Sequence, residues 1–261
     1  MFSRIVRTRR DVRTRVPSGG VAMSTTEDQR ESGSSPKRGR GRPQGHGPGY
    51  ETKRQEILDI ATRLFAAQGY SGTSVASLTR ATGLGKGALY HYIESKENLL
   101  VEISAQVMGP LIDTMRDIVA LDESAAVRIR IVSEALLAGI AQRPDHVWVY
   151  EHDYRYLTGV NRTRFLQRRL EFEGLVFRLV DEAIEQGTFR KSDVRLLVFQ
   201  FFNLHKGTIQ WYQRDGGWTA GELSREYCRT LFNGFASTAG SFEQVEERVD
   251  RLRAMKARSE G

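Results

Sequence analysis

From Glu51 onward apolar residues recur every three to four positions, with no alternating stretch and no Asn-Gly hairpin signal to interrupt them. That period confines the chain to an all-α fold, because a strand needs its apolar residues two apart. Ile57, Leu58, Ile60, Ala61, Leu64 and Phe65 mark the buried face of a first helix, which Gly69 can close in a left-handed cap. Thr73 or Ser74 can cap a short second helix carrying Val75, Leu78 and Ala81, which stops at Gly83. Residues 84–93 follow at once, and Ser95 caps a new helix. Gly109-Pro110 is expected to interrupt that helix. Further helices are expected over about 111–120, 124–142, 144–157, 161–186, 193–213 and 220–239, punctuated by Gly187 and Gly216-Gly217. The last twenty residues are dense in charge and read as a frayed tail.

Charge divides the chain further. Of 39 basic and 32 acidic residues in 261, the first fifty positions hold 11 basic and 4 acidic, so the net +7 sits entirely there. The same stretch holds 8 of the 25 glycines and 4 of the 6 prolines, a composition that cannot repay the entropy of ordering. A disordered basic arm on a neutral globule points to a polyanion, most simply nucleic acid. Within the arm, Lys37-Arg38-Gly39-Arg40-Gly41-Arg42-Pro43 resembles an AT-hook, which implies Arg40 and Arg42 in a narrow minor groove. Met23 offers an alternative start. The single cysteine, Cys228, excludes an internal disulfide or zinc ribbon and fits the reducing cytoplasm. No apolar run is long enough to span a bilayer. No nucleophile elbow, P-loop, zincin or dinucleotide motif is present, so no catalytic residue, metal or cofactor is expected. Gly83-Leu84-Gly85-Lys86-Gly87 lies between two short helices rather than after a strand, and no hydroxyl follows Lys86.

Three short helices with a glycine turn before the third describe a helix-turn-helix. Residues 57–100, through Gly69-Tyr70, Thr73-Ser74-Val75 and the run Gly83-Leu84-Gly85-Lys86-Gly87-Ala88-Leu89-Tyr90-His91-Tyr92-Ile93, resemble the TetR family of bacterial transcriptional regulators. Tyr92 departs from the family's usual phenylalanine. The resemblance implies double-stranded operator DNA as partner and places Tyr90 and Lys96 on backbone phosphates. Lys86, at the start of the third helix, can reach a guanine edge or a phosphate. Gly87 and Ala88 leave room for close approach, His91 shares the outer face, and Thr73 or Ser74 can offer a phosphate contact. Leu84, Leu89 and Tyr92 pack the head.

The family resemblance further implies a homodimeric helical body that binds a small effector. The expected organisation is an arm over 1–49, a DNA-binding head over 50–98, an effector and dimerisation body over 99–240 and a charged tail over 241–261. Trp148 and Tyr154 stand in a run where rings interleave with charges, which suits a pocket wall. In the 161–186 helix Phe165, Phe172 and Val176 share a side with Arg162 and Arg169. Charges on an apolar face need a partner or a ligand. Arg169 can pair with Glu173, and Arg162 either meets a ligand's anion or pairs with Glu151 or Asp153. Leu204 and Trp211, with Leu223, Tyr227, Leu231 and Phe235, form stripes on the next two helices that suit a four-helix dimer interface. Trp211-Tyr212 and Asp215-Gly216-Gly217-Trp218-Thr219 resemble the subset of the family whose effectors are acyl-coenzyme A thioesters. The expected protein is therefore a repressor released by a hydrophobic effector. The alternative is an architectural DNA-binding protein without a sensor, against which the size and aromatic richness of the body argue.

Overall fold

The first helix, α1 (Tyr50–Gln68), buries Ile57, Leu58, Ala61 and Phe65, the spacing that one face of a helix dictates. The structure, a computed structural model, describes residues 49–213, 216–235 and 241–259. It divides into two units, Met1–Lys53, in which only the start of α1 is described, and Arg54–Gly261, which holds everything that follows. Gly69 ends α1 at φ 79°, its amide donating to the Phe65 carbonyl at 2.8 Å, a conformation in which a side chain would be strained. Ser74 caps α2 (Val75–Thr82) by accepting from the Ser77 amide, and Gly83 at φ 69° closes it. Helix α3 (Lys86–Ile93) begins behind Gly85, and Ser95 caps α4 (Lys96–Val119) through the Asn98 amide.

The body follows as α5 (Ala125–Gln142), α6 (Pro144–Asp153), a 3-10 turn over Tyr154–Tyr156, α7 (Gly159–Glu185), α8 (Val194–Thr208), α9 (Ala220–Phe235) and α10 (Ser241–Ser259). Helix α5 is the hub, packing against α4 and each of α6 to α10. The protein is all-α, as its apolar period requires.

Two expectations are corrected here. Helix α4 runs straight through Gly109 and Pro110. An internal proline costs about 3 kcal/mol. On either side of it Leu99, Leu100 and Ile103, then Met108, Ile112, Met115 and Ile118, bury one continuous face. At about 1.5–3 kcal/mol for each fully buried side chain, that face outweighs the lost hydrogen bond. The charged C-terminal stretch is a helix, α10, rather than a frayed tail. Phe242, Val245 and Val249, at helical spacing, are buried, and the Phe242 ring meets Phe232 edge-on at 5.6 Å. Three apolar residues in a highly charged segment suffice when they share a face.

Candidate functional site

Two regions are candidates for a functional site, the outer face of α3 and a cavity in the body. In α3, Leu89 and Ile93 are buried, with Leu84 and Tyr92 packed beside them. Lys86, Gly87, Ala88, Tyr90 and His91 are exposed on the other side. A Cβ added at Gly87 would meet nothing within 4 Å. A glycine inside a helix costs about 1 kcal/mol relative to alanine, and nothing among the described residues requires it here. The space it leaves would let a surface from outside approach the backbone of the helix closely.

The remaining head residues are placed differently from one another. Ser74 is exposed at the start of α2. Thr73 is fully buried, its Oγ1 donating to the Gly69 carbonyl at 2.9 Å and accepting from Gln68 at 3.1 Å, so its side chain braces the α1–α2 loop. The Lys96 ammonium lies 3.9 Å from the centre of the Tyr70 ring and donates to the carbonyls of Tyr70 (2.6 Å) and Thr73 (2.7 Å). Partial burial draws its pKa below the usual lysine value, against the opposing charge of Asp153. At most one of its three N–H groups is left for a phosphate. Arg40 and Arg42 lie outside the described residues.

The same loop is clamped to the body. Buried Asp153, at the end of α6, accepts from the Tyr70 amide at 3.2 Å, and burial raises its pKa. Tyr156 stacks on Tyr70 at 5.2 Å and donates to Ser71 at 3.2 Å. Glu97 on α4 accepts from the Thr158 amide (2.9 Å) and from Asn161 (3.1 Å), bonds that lower its pKa.

Three residues before Asp153 the same helix, α6, enters a cavity of about 440 Å³. Met108 and Leu111 of α4, Leu136 and Ile140 of α5, and Phe172 and Phe202 form its apolar wall. Ala135, Ala138 and Gly139 open it, each contributing little or no side chain on the α5 side. Of the seven expected effector residues, the cavity takes in Arg169 and Phe172. Phe165 lies between Tyr150 (5.0 Å) and Tyr154, whose ring stacks parallel to it at 5.3 Å. Val176 is core, and Trp148 stacks on His152 at 4.0 Å. Arg162 stands exposed in the first turn of α7, outside the cavity lining. It shares the angular position of Arg169 but sits seven residues earlier, about 10 Å along the axis. The helical period supplies the angle and is silent about the height.

The polar groups of the cavity are largely committed to one another. Arg169 pairs with Glu173 at 3.1 Å and Glu151 at 3.8 Å, and Lys206 pairs with Glu151 at 3.6 Å. His205, which sequence reading did not single out, is fully spoken for. The Phe201 carbonyl can only accept, so His205 Nδ1 donates to it at 2.6 Å, leaving Nε2 to accept from Ser133 at 2.7 Å. Ser133 in turn accepts from Ser224, and Ser224 from Arg130, each at 2.8 Å. Arginine cannot accept, so Arg130 donates at the head of this chain, and donation passed along it to Nε2 leaves His205 neutral at its end.

Burial brings the His205 pKa down from 6.5 to about 4. As pH falls below 6.5 the unfolded chain takes up this proton and the folded one does not, so stability present above 6.5 is lost on the way toward 4. Between pH 7 and pH 5 the His205 share should amount to about 2 kcal/mol. Urea unfolding at both pH values should show that share vanish in His205→Gln. An unchanged pH dependence would mean that His205 titrates normally.

The expected pairing residues divide as well. Leu223 and Leu231 are buried within the chain, and Leu204 and Tyr227 are half-buried, the Tyr227 hydroxyl bonding Thr208 at 2.7 Å. Trp211 is exposed, and the Phe235 side chain lies outside the described residues. Large apolar side chains instead stand open on α7 (Leu166 and Leu170) and α8 (Leu196 and Phe199).

Comparison with known proteins bears on both regions. Residues 57–103 match the family described as bacterial regulatory proteins of the tetR family. Residues 122–235 match the tetracyclin repressor-like C-terminal domain. The transcriptional repressor KstR2 of Rhodococcus jostii is 28% identical over 192 residues, covering 72% of this chain and 94% of the relative. The crystal structure of the TetR family regulator PfmR from Thermus thermophilus matches with a TM-score of 0.63 at 29% identity, over 68% of this chain and 97% of that one. The structure of AibR in complex with isovaleryl coenzyme A and operator DNA matches with a TM-score of 0.62 at 25% identity, over 69% and 98%.

Proposed function

The chain belongs to the TetR family of bacterial transcriptional regulators, and from that premise we propose a cytoplasmic homodimeric repressor that an amphipathic effector with an anionic end, such as an acyl-coenzyme A, releases from its operator. As a member of that family it is a DNA-binding transcriptional regulator. The observation that carries the effector reading is the continuity of α6. Tyr150 and Glu151 line the cavity, and Asp153 and Tyr156, a few residues on, hold the Tyr70 loop of the head. A ligand that moves α6 must move or release that loop, which is the differential contact an effector needs in order to bias two states. AibR, whose structure holds both isovaleryl coenzyme A and operator DNA, supports a thioester as the effector class.

In this reading the exposed face of α3 enters the major groove, Lys86 leads, and Tyr90 and Ser74 contact phosphates. Lys96 acts chiefly by holding the α1–α2 loop against α4. The basic arm adds minor-groove affinity on A·T-rich flanks. The head then spans 50–98 and the effector body 99–240, with α10 packed onto that body. Pairing falls to α7 and α8, where apolar side chains stand open.

The experiment is an operator titration, with the operator selected from random-sequence DNA and followed by fluorescence anisotropy. Decanoyl coenzyme A should release the wild-type complex and stabilise the free protein by RT ln(1 + [L]/Kd). An architectural protein would do neither. Lys86→Ala should relax preference at one base position per half-site, by about 1–3 kcal/mol, as loss of a base contact requires. Equal losses on operator and random DNA would make Lys86 a phosphate contact.

A further inference from the structure

Three cations and two carboxylates line the cavity, and they are not equivalent. Arg169 and Lys206 are both paired with Glu151, and Arg169 also with Glu173, so this cluster sums to zero. An anion drawn to Arg169 would have to sit beside both acids, and one drawn to Lys206 beside Glu151, with little net field to hold it. His205 offers nothing further, since both its ring nitrogens are engaged. The third cation, Arg143, sits at the corner where α5 ends and α6 begins. Its side chain is exposed, it donates to the neutral Gln106 amide oxygen at 3.4 Å, and it forms no ion pair among the described residues.

Height along the helices separates the two ends. Glu151 lies eight residues from Arg143 on α6, about 12 Å along the axis. Ser133, which holds His205, lies ten residues away on α5, about 15 Å. Val107, Leu111, Leu136, Ile140 and Val147 line the cavity wall together with Arg143, Glu151 and His205.

We propose that Arg143 is the anion anchor of the effector site, and that the Glu151–Arg169–Glu173–Lys206 cluster receives the effector's uncharged end. The assignment rests on the reading of this cavity as an effector site, and it replaces Arg162 and Arg169 as candidate anchors. A planar guanidinium fork suits phosphate, sulfate or carboxylate. Its exposed position lets the anion keep part of its hydration, so the ligand buries apolar surface without burying its charge. The paired cluster suits a hydroxyl, carbonyl or retained water, which can bond to ions already neutralised by one another.

The test uses the full-length protein and two probes of equal apolar length, decyl sulfate and 1-decanol, titrated calorimetrically. Arg143→Gln should weaken decyl sulfate by about tenfold or more, the loss of a charge-assisted hydrogen bond, and leave 1-decanol unchanged. Arg169→Gln should weaken decyl sulfate no more than 1-decanol, since only the alcohol can bring a hydroxyl to that cluster. The assignment is overturned if the wild-type protein does not bind decyl sulfate, if Arg143→Gln affects the two probes alike, or if Arg169→Gln selectively weakens the sulfate. Decyl sulfate binding that depends on Arg143, with decanoyl coenzyme A leaving the operator complex intact, would keep this assignment and sink the thioester reading.

Discussion

Replacing Glu246 by alanine should cost the folded protein about 3–5 kcal/mol, the penalty of taking from a buried charge the more buried of its two carboxylate partners. Arg130 has no exposed surface. Its guanidinium is held by Glu246 from α10, by Ser224 at 2.8 Å, by Glu134 at 3.1 Å and by the Gly221 carbonyl at 3.3 Å. Glu134 is itself a third exposed and shared with Arg253, so it cannot replace the lost carboxylate. The same substitution frees Arg225, which pairs with Glu246 at 2.7 Å, but that residue is open to solvent and adds little. Arg130→Met combined with Glu246→Leu should recover most of the loss, because an apolar pair of similar volume needs no desolvation of charge. Urea unfolding of the three proteins decides the matter. A loss below about 1 kcal/mol in Glu246→Ala would mean that water reaches Arg130 once the carboxylate is gone.

The buried arginine also shows where sequence reading stops. The head was legible because its signals are local. Ser74 and Ser95 cap, Gly69 and Gly83 turn, and the residues that answer them lie within four positions. In the body the decisive partners are remote. Arg128 and Arg130 interrupt an apolar run, yet both are buried, because Glu182 and Glu246 meet them from 54 and 116 residues away. Pro110 reads as a stop from its own backbone, and only the tertiary burial of Met108 and Ile112 overrides it. The stripes of α8 and α9 announced that those faces are covered and could not say by what. Leu223 and Leu231 are buried within their own chain. The cavity is bounded on the α5 side by Ala135, Ala138 and Gly139, small side chains that give no periodic signal of their own.

Phe199→Asp should separate the proposed dimer into folded monomers and lower operator affinity by about 10²–10⁴-fold, the factor lost when two linked binding events become independent. The argument begins with exposure. Leu170, Leu196 and Phe199 leave more than half of their surface open, and Leu166 somewhat less, on two helices that pack against each other. A two-fold interface brings the same patch from both chains together, so each substitution acts twice. Aspartate at such a position costs the isolated chain little, about 0.5 kcal/mol or less, because nothing in that chain covers it. In a paired interface it buries two unpartnered carboxylates. Leu231→Asp offers the contrast. Leu231 is buried within the chain, so charge there should lower the melting temperature of the fold itself rather than divide two folded subunits. Sedimentation velocity distinguishes the outcomes, with operator anisotropy measured on the same samples. A Phe199→Asp protein that still sediments as a dimer and binds its operator with unchanged affinity would move the interface away from α7 and α8.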